Sequence, residues 1–173
     1  MSMSSSPNGS ACSASVIGLG SMGFGMAQSL KRAGLAVEGY DALAANVKRF
    51  ADEGGGVAAN PAEAAADASI IISAVVNASQ TEAVMSGLGG AGAAAAKDAV
   101  FVSCATMDPA AAKRLGAQWE GEGRLYLDAP MSGGPARAAK GELTFMASGS
   151  PAAFARARPA LDAMASKLAA GRS

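Results

Sequence analysis

The amino-acid sequence predicts an α/β fold, a doubly wound and mostly parallel sheet with helices on both faces. Three observations carry this expectation. Short apolar runs alternate with helical patterns along the chain, a glycine cluster joins the first run to the first helix, and three later helices open on a polar residue followed by proline. Strands and helices that alternate at this length are joined by crossovers, which place the strands parallel and the helices on the sheet's two faces.

Ala14 to Gly18 is a short apolar run that leads into glycines, as a buried parallel strand ends. Ser21 to Ala33 reads as a helix closed by Gly34, with Met22, Met26 and Leu30 recurring on one inward stripe. Val37 to Tyr40 is a second strand ending at Asp41, and Asn46 to Glu53 a second helix ending in Gly54, Gly55 and Gly56. Asn60-Pro61, Asp108-Pro109 and Ser150-Pro151 mark three further helix starts, because proline at the first helical position lacks only a donor that would be unpaired there. Between them lie strands at Ser69 to Val76, Ala99 to Ser103, Leu125 to Ala129 and Leu143 to Ala147. Gly87 to Ala96 is expected to be a loop with a short helix, and Lys167 to belong to the terminal helix.

A chain of 173 residues holds one full-sized domain. Residues 1–13, Ser-rich and without basic residues or an apolar stretch, are expected to form a disordered leader, and residues 14–170 the domain itself. The 14 basic and 14 acidic residues cancel, so no charge field recruits nucleic acid or an anionic membrane surface. No stretch is apolar for long enough to span a bilayer. Cys12 and Cys104 are far apart and form no metal-binding pair, so no metal site is expected and a cytoplasmic location is the default. Histidine is absent, which removes Ser-His triads, imidazole bases and His-ligated metals together.

Gly18-Leu19-Gly20-Ser21-Met22-Gly23 is G-x-G-x-x-G set between strand and helix, the fingerprint of a Rossmann-type dinucleotide-binding fold. Gly18 allows the tight turn, Gly20 lets backbone approach a pyrophosphate, and Gly23 lets the helix lie close on the strand. The helix N-terminus offers unpaired N–H groups and partial positive charge to the phosphates. Asp41 ends the next strand, where a carboxylate accepts from the ribose hydroxyls and repels a 2′-phosphate. With no Arg at Ala42 or Leu43, NAD is expected over NADP.

Hydride transfer at an alcohol carbon also needs a group that takes the hydroxyl proton. A Tyr-x-x-x-Lys arrangement is missing, since Ala44 follows Tyr40 and Pro130 follows Tyr126 at that spacing, which leaves a lysine base by elimination. Lys140 and Lys167 read as solvated surface lysines.

Val16 to Gly23, with Met26-Ala27 and Leu30, resembles the opening of the β-hydroxyacid dehydrogenases, the group that contains 3-hydroxyisobutyrate dehydrogenase and related sugar-acid dehydrogenases. Asp128-Ala129-Pro130-Met131-Ser132-Gly133-Gly134, with Ala138, Gly141 and Leu143 to Met146, resembles their substrate motif D-A-P-V-S-G-G and its trailing A-x-x-G-x-L. The resemblance implies that Ser132, Gly133 and Gly134 hold the substrate carboxylate, a role a backbone nest suits. Ala74-Val75-Val76-Asn77 resembles the strand end on the nicotinamide side, where Val76 lies against the cofactor and Asn77 either hydrogen-bonds it or caps a helix. Ala105 to Pro109 resembles the family's S-T-x-x-P, so Thr106 either touches the cofactor or sits in the turn before a helix. Val75 to Gln80 and Ser166 to Leu168 look most like the L-threonate dehydrogenase branch.

In the family the catalytic lysine follows this domain in a G-x-x-G-x-G-x-x-x-K segment, succeeded by an all-helical domain. Neither is present in these 173 residues, so no catalytic residue is expected here, and low turnover with self-association through uncovered apolar surface follows. The leading expectation is an NAD-dependent oxidoreductase of small hydroxy acids. A free-standing NAD-binding regulatory module and an NADP-dependent phosphogluconate dehydrogenase-like relative are the alternatives.

Overall fold

The computed structural model describes residues 12–171. The chain runs β1 (Ser13–Ile17), α1 (Ser21–Arg32), β2 (Ala36–Tyr40), α2 (Ala44–Asp52), β3 (Gly56–Val57), α3 (Pro61–Ala66), β4 (Ile70–Ser73) and α4 (Ala78–Ser86). After a single 3-10 turn at Ala91–Ala93 come β5 (Val100–Ser103), α5 (Pro109–Glu120), β6 (Leu125–Asp128), β7 (Met131–Ser132), α6 (Gly134–Lys140), β8 (Leu143–Gly149), α7 (Pro151–Met164) and β9 (Ala165–Gly171). Of the expected leader, residues 1–11 lie outside the described residues, and Ser13 opens β1.

The strands form one sheet in the order β3-β2-β1-β4-β5-β6-β8-β7, with β9 along the other side of β8. From β3 to β6 every pairing is parallel, while β8 runs antiparallel to β6 and β7. The expected doubly wound, mostly parallel sheet is therefore what the chain forms. Its central strands β1, β4 and β5 are buried without alternation because both faces are covered. Ile70 and Ile72 face one core with Val102, Leu127, Met26 and Leu30, and Ile71 faces the other with Phe101, Leu115 and Trp119. Each of those isoleucines is fully buried, a contribution of about 1.5–3 kcal/mol apiece relative to exposure.

The three polar-proline starts are caps. Asn60 accepts from Glu63 N at 2.8 Å, Asp108 from Ala110 N at 2.7 Å and Ser150 from Ala153 N at 3.1 Å. Each side chain satisfies one of the orphan donors of a helix's first turn.

Several features differ from expectation. Lys167 lies in β9 and not in the terminal helix, which ends at Met164. The segment Ala165–Gly171 is rich in alanine, a helix former, but the open edge of β8 offers a row of backbone groups that captures it as a strand. Ser166 Oγ adds a 3.0 Å bond to Glu142 O. Tertiary pairing thus overrides local propensity. Helix α6, which follows Ser132 at once, is absent from the expected elements because the sequence carries no periodic apolar stripe there.

Replacing Ser150 by Ala removes the cap of α7 and is expected to cost about 1 kcal/mol, or about 2–4 °C in melting temperature. Thermal unfolding followed by circular dichroism measures it.

Candidate functional site

A cleft of about 360 Å³ opens at the carboxyl ends of β1, β4 and β5, lined by Gly20 to Gly23, Ala74 to Val76, Cys104 to Thr106 and Met131. Its place is set by topology. From β1 the chain winds outward through β2 and β3, then returns to β4 on β1's other side, and a crevice forms where the direction reverses.

The three glycines of the loop have three different reasons to lack a side chain. Gly18 turns with φ +101°, and a Cβ there would sit 2.6 Å from Ala74 O. Gly23 lies where a Cβ would collide with the Gly18 carbonyl oxygen. A Cβ on Gly20 would meet nothing within 4 Å: the protein leaves that space in the cleft open. Helix α1 starts there with no side-chain cap and no acidic residue in its first turn, so its leading N–H groups face the cleft uncommitted.

Two bonds from the end of β2 hold this loop. Gly18 N donates to Tyr40 O at 2.8 Å, and Leu19 N donates to Asp41 Oδ2 at 2.7 Å. The other Asp41 oxygen accepts from Leu43 N at 2.7 Å. Each carboxylate oxygen retains a further lone pair.

Of the residues singled out in the sequence, Gly20, Ser21, Met22, Gly23, Val76 and Thr106 come together in the cleft. Leu19 does not present its side chain there: it is fully buried beside Gly39, and its amide is taken by Asp41. Asn77 caps α4, with Oδ1 accepting from Gln80 N at 2.9 Å, which is the second of its two expected roles; it lies outside the cleft lining. Ser132, Gly133 and Gly134 follow Met131, which does line the cleft. The two glycines have φ +142° and +77° and carry the chain from β7 into α6. Lys140 ends α6 and is exposed, as is Lys167 in β9, and neither lines the cleft.

Sequence reasoning marked the segments that contain Ala74, Val75, Ala105 and Met131 without singling these residues out as cleft lining, and missed Cys104. The signal for Cys104 was position alone, at the carboxyl end of an apolar strand. Cys104 is buried, and burial, with the nearby Asp128 charge, pushes its thiol up to about 12. Burial likewise raises Tyr126 to about 12 against the pull of the Ser103 hydroxyl. Asp128, half-buried with Oδ1 lacking a protein partner, is raised above the ordinary carboxylate range by desolvation. Among the described residues no cluster of three or more His, Cys, Asp or Glu side chains is placed to hold a metal, and no helix is long and apolar enough to cross a membrane.

Cys104 therefore stays a protonated, inert thiol at pH 8; mass spectrometry after brief iodoacetamide treatment of the native chain is expected to find it unmodified, with alkylation appearing only in denaturant. For Asp128, burial makes the charged form costlier in the folded state than in the unfolded chain. The penalty for its charged form is fully present at neutral pH and disappears as pH falls toward the model-compound value of 3.8. Asp128→Asn should gain stability over the parent at pH 7.5, and the gain should shrink in denaturation curves at pH 4.5.

Residues 13–171 match the family described as the NAD binding domain of 6-phosphogluconate dehydrogenase. The chain is 48% identical over 153 residues to an L-threonate dehydrogenase of Cupriavidus necator, covering 88% of this chain and 52% of that protein. It is 36% identical over 152 residues to the mitochondrial 3-hydroxyisobutyrate dehydrogenase of Mus musculus, covering 88% and 45%. The solved structure of a 3-hydroxyisobutyrate dehydrogenase from Salmonella typhimurium superposes with a TM-score of 0.88 at 37% identity, over 94% of this chain and 56% of that one. The chain thus spans about half the length of the curated relatives it matches. The match over nearly all the described residues, on a sheet whose switch point holds the glycine loop, places the chain in the NAD-binding domain family of 6-phosphogluconate dehydrogenase, alongside the L-threonate and 3-hydroxyisobutyrate dehydrogenases.

Proposed function

We propose that the chain is the cofactor-binding part of an NAD-dependent dehydrogenase that oxidises a small hydroxy acid of the L-threonate or 3-hydroxyisobutyrate kind. The single observation that carries the reading is the open space at Gly20, in front of an uncapped helix N-terminus, inside a loop whose other two glycines are closed by backbone.

In this reading the N–H groups of Gly20, Ser21 and Met22 receive the pyrophosphate, and Gly18, Leu19 and Gly23 shape the turn that presents them. The free lone pairs of Asp41 accept from the ribose hydroxyls. Val76 and Thr106 flank the nicotinamide side, and Asn77 supports that edge by fixing the start of α4. Ser132 donates its hydroxyl, and Gly133 and Gly134 their N–H groups, to the substrate carboxylate, next to Met131 on the cleft wall. NAD when bound supplies the hydride acceptor. The proton of the substrate hydroxyl is assigned to none of the described residues, because both candidate lysines stand away from the cleft. That same placement favours, as the second reading, a module that binds NAD without chemistry. The relatives' printed activities and the D-A-P-M-S-G-G segment favour the dehydrogenase.

Calorimetric titration of NAD into the chain and into Gly20→Val tests the reading. The added side chain meets no protein atom at its Cβ, so the variant is expected to fold with an unchanged melting temperature and to lose at least about tenfold in NAD affinity, or ~1.4 kcal/mol. Equal binding by both proteins would remove the glycine loop from the site.

A further inference from the structure

Helix α1 contains a second glycine, Gly25, that takes no part in the dinucleotide turn. Glycine weakens a helix interior, so its presence there calls for a packing reason. The reason is α6. A Cβ on Gly25 would lie 2.6 Å from the backbone nitrogen of Ala139, 3.0 Å from the Ala138 carbonyl carbon and 3.1 Å from the Ala138 Cβ. No flexible side chain is there to move aside; the obstruction is mainly backbone.

Two hydrogen bonds fasten the same contact. Ser29, itself buried, donates from Oγ to Ala138 O at 2.7 Å. Arg32 donates from Nη2 to Ala139 O at 2.8 Å and to Ser29 Oγ at 3.1 Å. The carbonyls they reach belong to the last turn of α6, where the helix supplies no further N–H donor along its own axis; Ala138 O accepts in addition from Gly141 N at 3.3 Å. The fastening is therefore specific to the register of the two helices and is not general apolar packing.

Helix α1 begins at the cleft, and α6 begins three residues after Met131 on the cleft wall. Helix α1 starts at Ser21 behind the glycine loop, and α6 at Gly134 behind the Ser132–Gly134 segment. Gly25 lies four residues into α1 and Ala138 four into α6, about one turn, or ~6 Å, behind each start. A displacement at the contact is thus carried directly to the two loops.

We infer that the α1–α6 contact is a positioning joint that sets the separation between the dinucleotide loop and the Ser132–Gly134 loop, with Gly25 as its contact residue and Ser29 and Arg32 as its latch. The inference rests on the reading that Ser132 to Gly134 receive the substrate carboxylate. Gly25, Ser29 and Arg32 touch neither ligand in that reading; they act through the placement of α6.

The test compares the parent chain with Gly25→Ala and Ser29→Ala by two measurements. In titrations, NAD affinity is expected to stay within about threefold of the parent, whereas L-threonate affinity at saturating NAD falls by at least about tenfold in Gly25→Ala and in the same direction in Ser29→Ala. In hydrogen exchange, amides of residues 131–140 are expected to exchange faster in both variants, with residues 143–149 unchanged. Equal losses for both ligands, or faster exchange across the whole domain, would reduce the contact to ordinary core packing and overturn the inference, as would no change in either measurement. A parent chain that binds NAD but not L-threonate sinks the carboxylate reading of Ser132 to Gly134 instead, and the exchange pattern still decides the joint. Ser29→Ala adds no volume, so the comparison stands if Gly25→Ala fails to fold.

Discussion

The turn from β1 into α1 exists because Gly18, Gly23 and Ala74 bring stretches of backbone together so closely that no side chain fits between them. Gly18 faces the Ala74 carbonyl at the end of β4, and Gly23 faces the carbonyl of Gly18. Each such glycine costs about 0.5–1 kcal/mol of chain entropy relative to alanine, and the cost is offset only where the approach places something useful. Here it seats α1 directly on the sheet against β1 and β2. Met26 and Leu30 then reach the core made with Val16, Ile72 and Val102, and the helix N-terminus is left at the mouth of the cleft. Remove the contact and the helix must rise off the sheet, which takes the core and the site with it.

That loop is held by the protein's own groups. Tyr40 O and Asp41 Oδ2 hold the amides of Gly18 and Leu19, so β2 braces the loop from one side while Ala74 closes it from the other. A loop already held in shape has little conformational entropy left to lose on binding. The helix entering from it is fixed in turn to α6 at Gly25, and one rigid chain of contacts runs from β2 through α1 to the segment after Met131. More than a hundred residues of chain separate the bonded groups of α1 and α6, and the packing of the two helices on one another, not adjacency of their strands, makes them neighbours.

How much of this was legible in the sequence depended on whether the signal was local. The glycine fingerprint, the acid ending β2 and the polar-proline caps are short-range chemistry: Gly18 must turn, Asn60 and Ser150 must satisfy nearby donors, and each did what its immediate neighbours required. Features decided by distant partners were not legible. Ala165 to Gly171 is locally a helix former, and only the unpaired edge of β8 makes it a strand. Leu19 reads as a loop residue beside two glycines, yet its side chain is core, because the loop folds back over β2 and Phe50. Asn77 had two chemically sound roles, and the helix that begins one residue later took its carbonyl. Gly25 carried a signal that could have been read, an unexplained glycine inside an amphipathic helix, but nothing local named α6 as its cause.

The same bracing bears on the choice between NAD and NADP. A carboxylate that was free to rotate would swing away from a 2′-phosphate, and its repulsion would be weak. Asp41 is not free: its two oxygens are held at 2.7 Å by the amides of Leu19 and Leu43, one on each side of the strand end. Swinging away would break both bonds and leave two backbone donors unpaired, at about 1–3 kcal/mol for each that stays buried. Staying would set a phosphate against a fixed negative charge, a repulsion of about 1 kcal/mol per unit charge at ~4 Å even in water and several times that beside a protein surface. Neither Ala42 nor Leu43 offers a positive charge to offset it. The hydrogen bonds that shape the glycine loop are thus the ones that hold its acid in place, and in the proposed reading the loop's own rigidity is what would disfavour a 2′-phosphate.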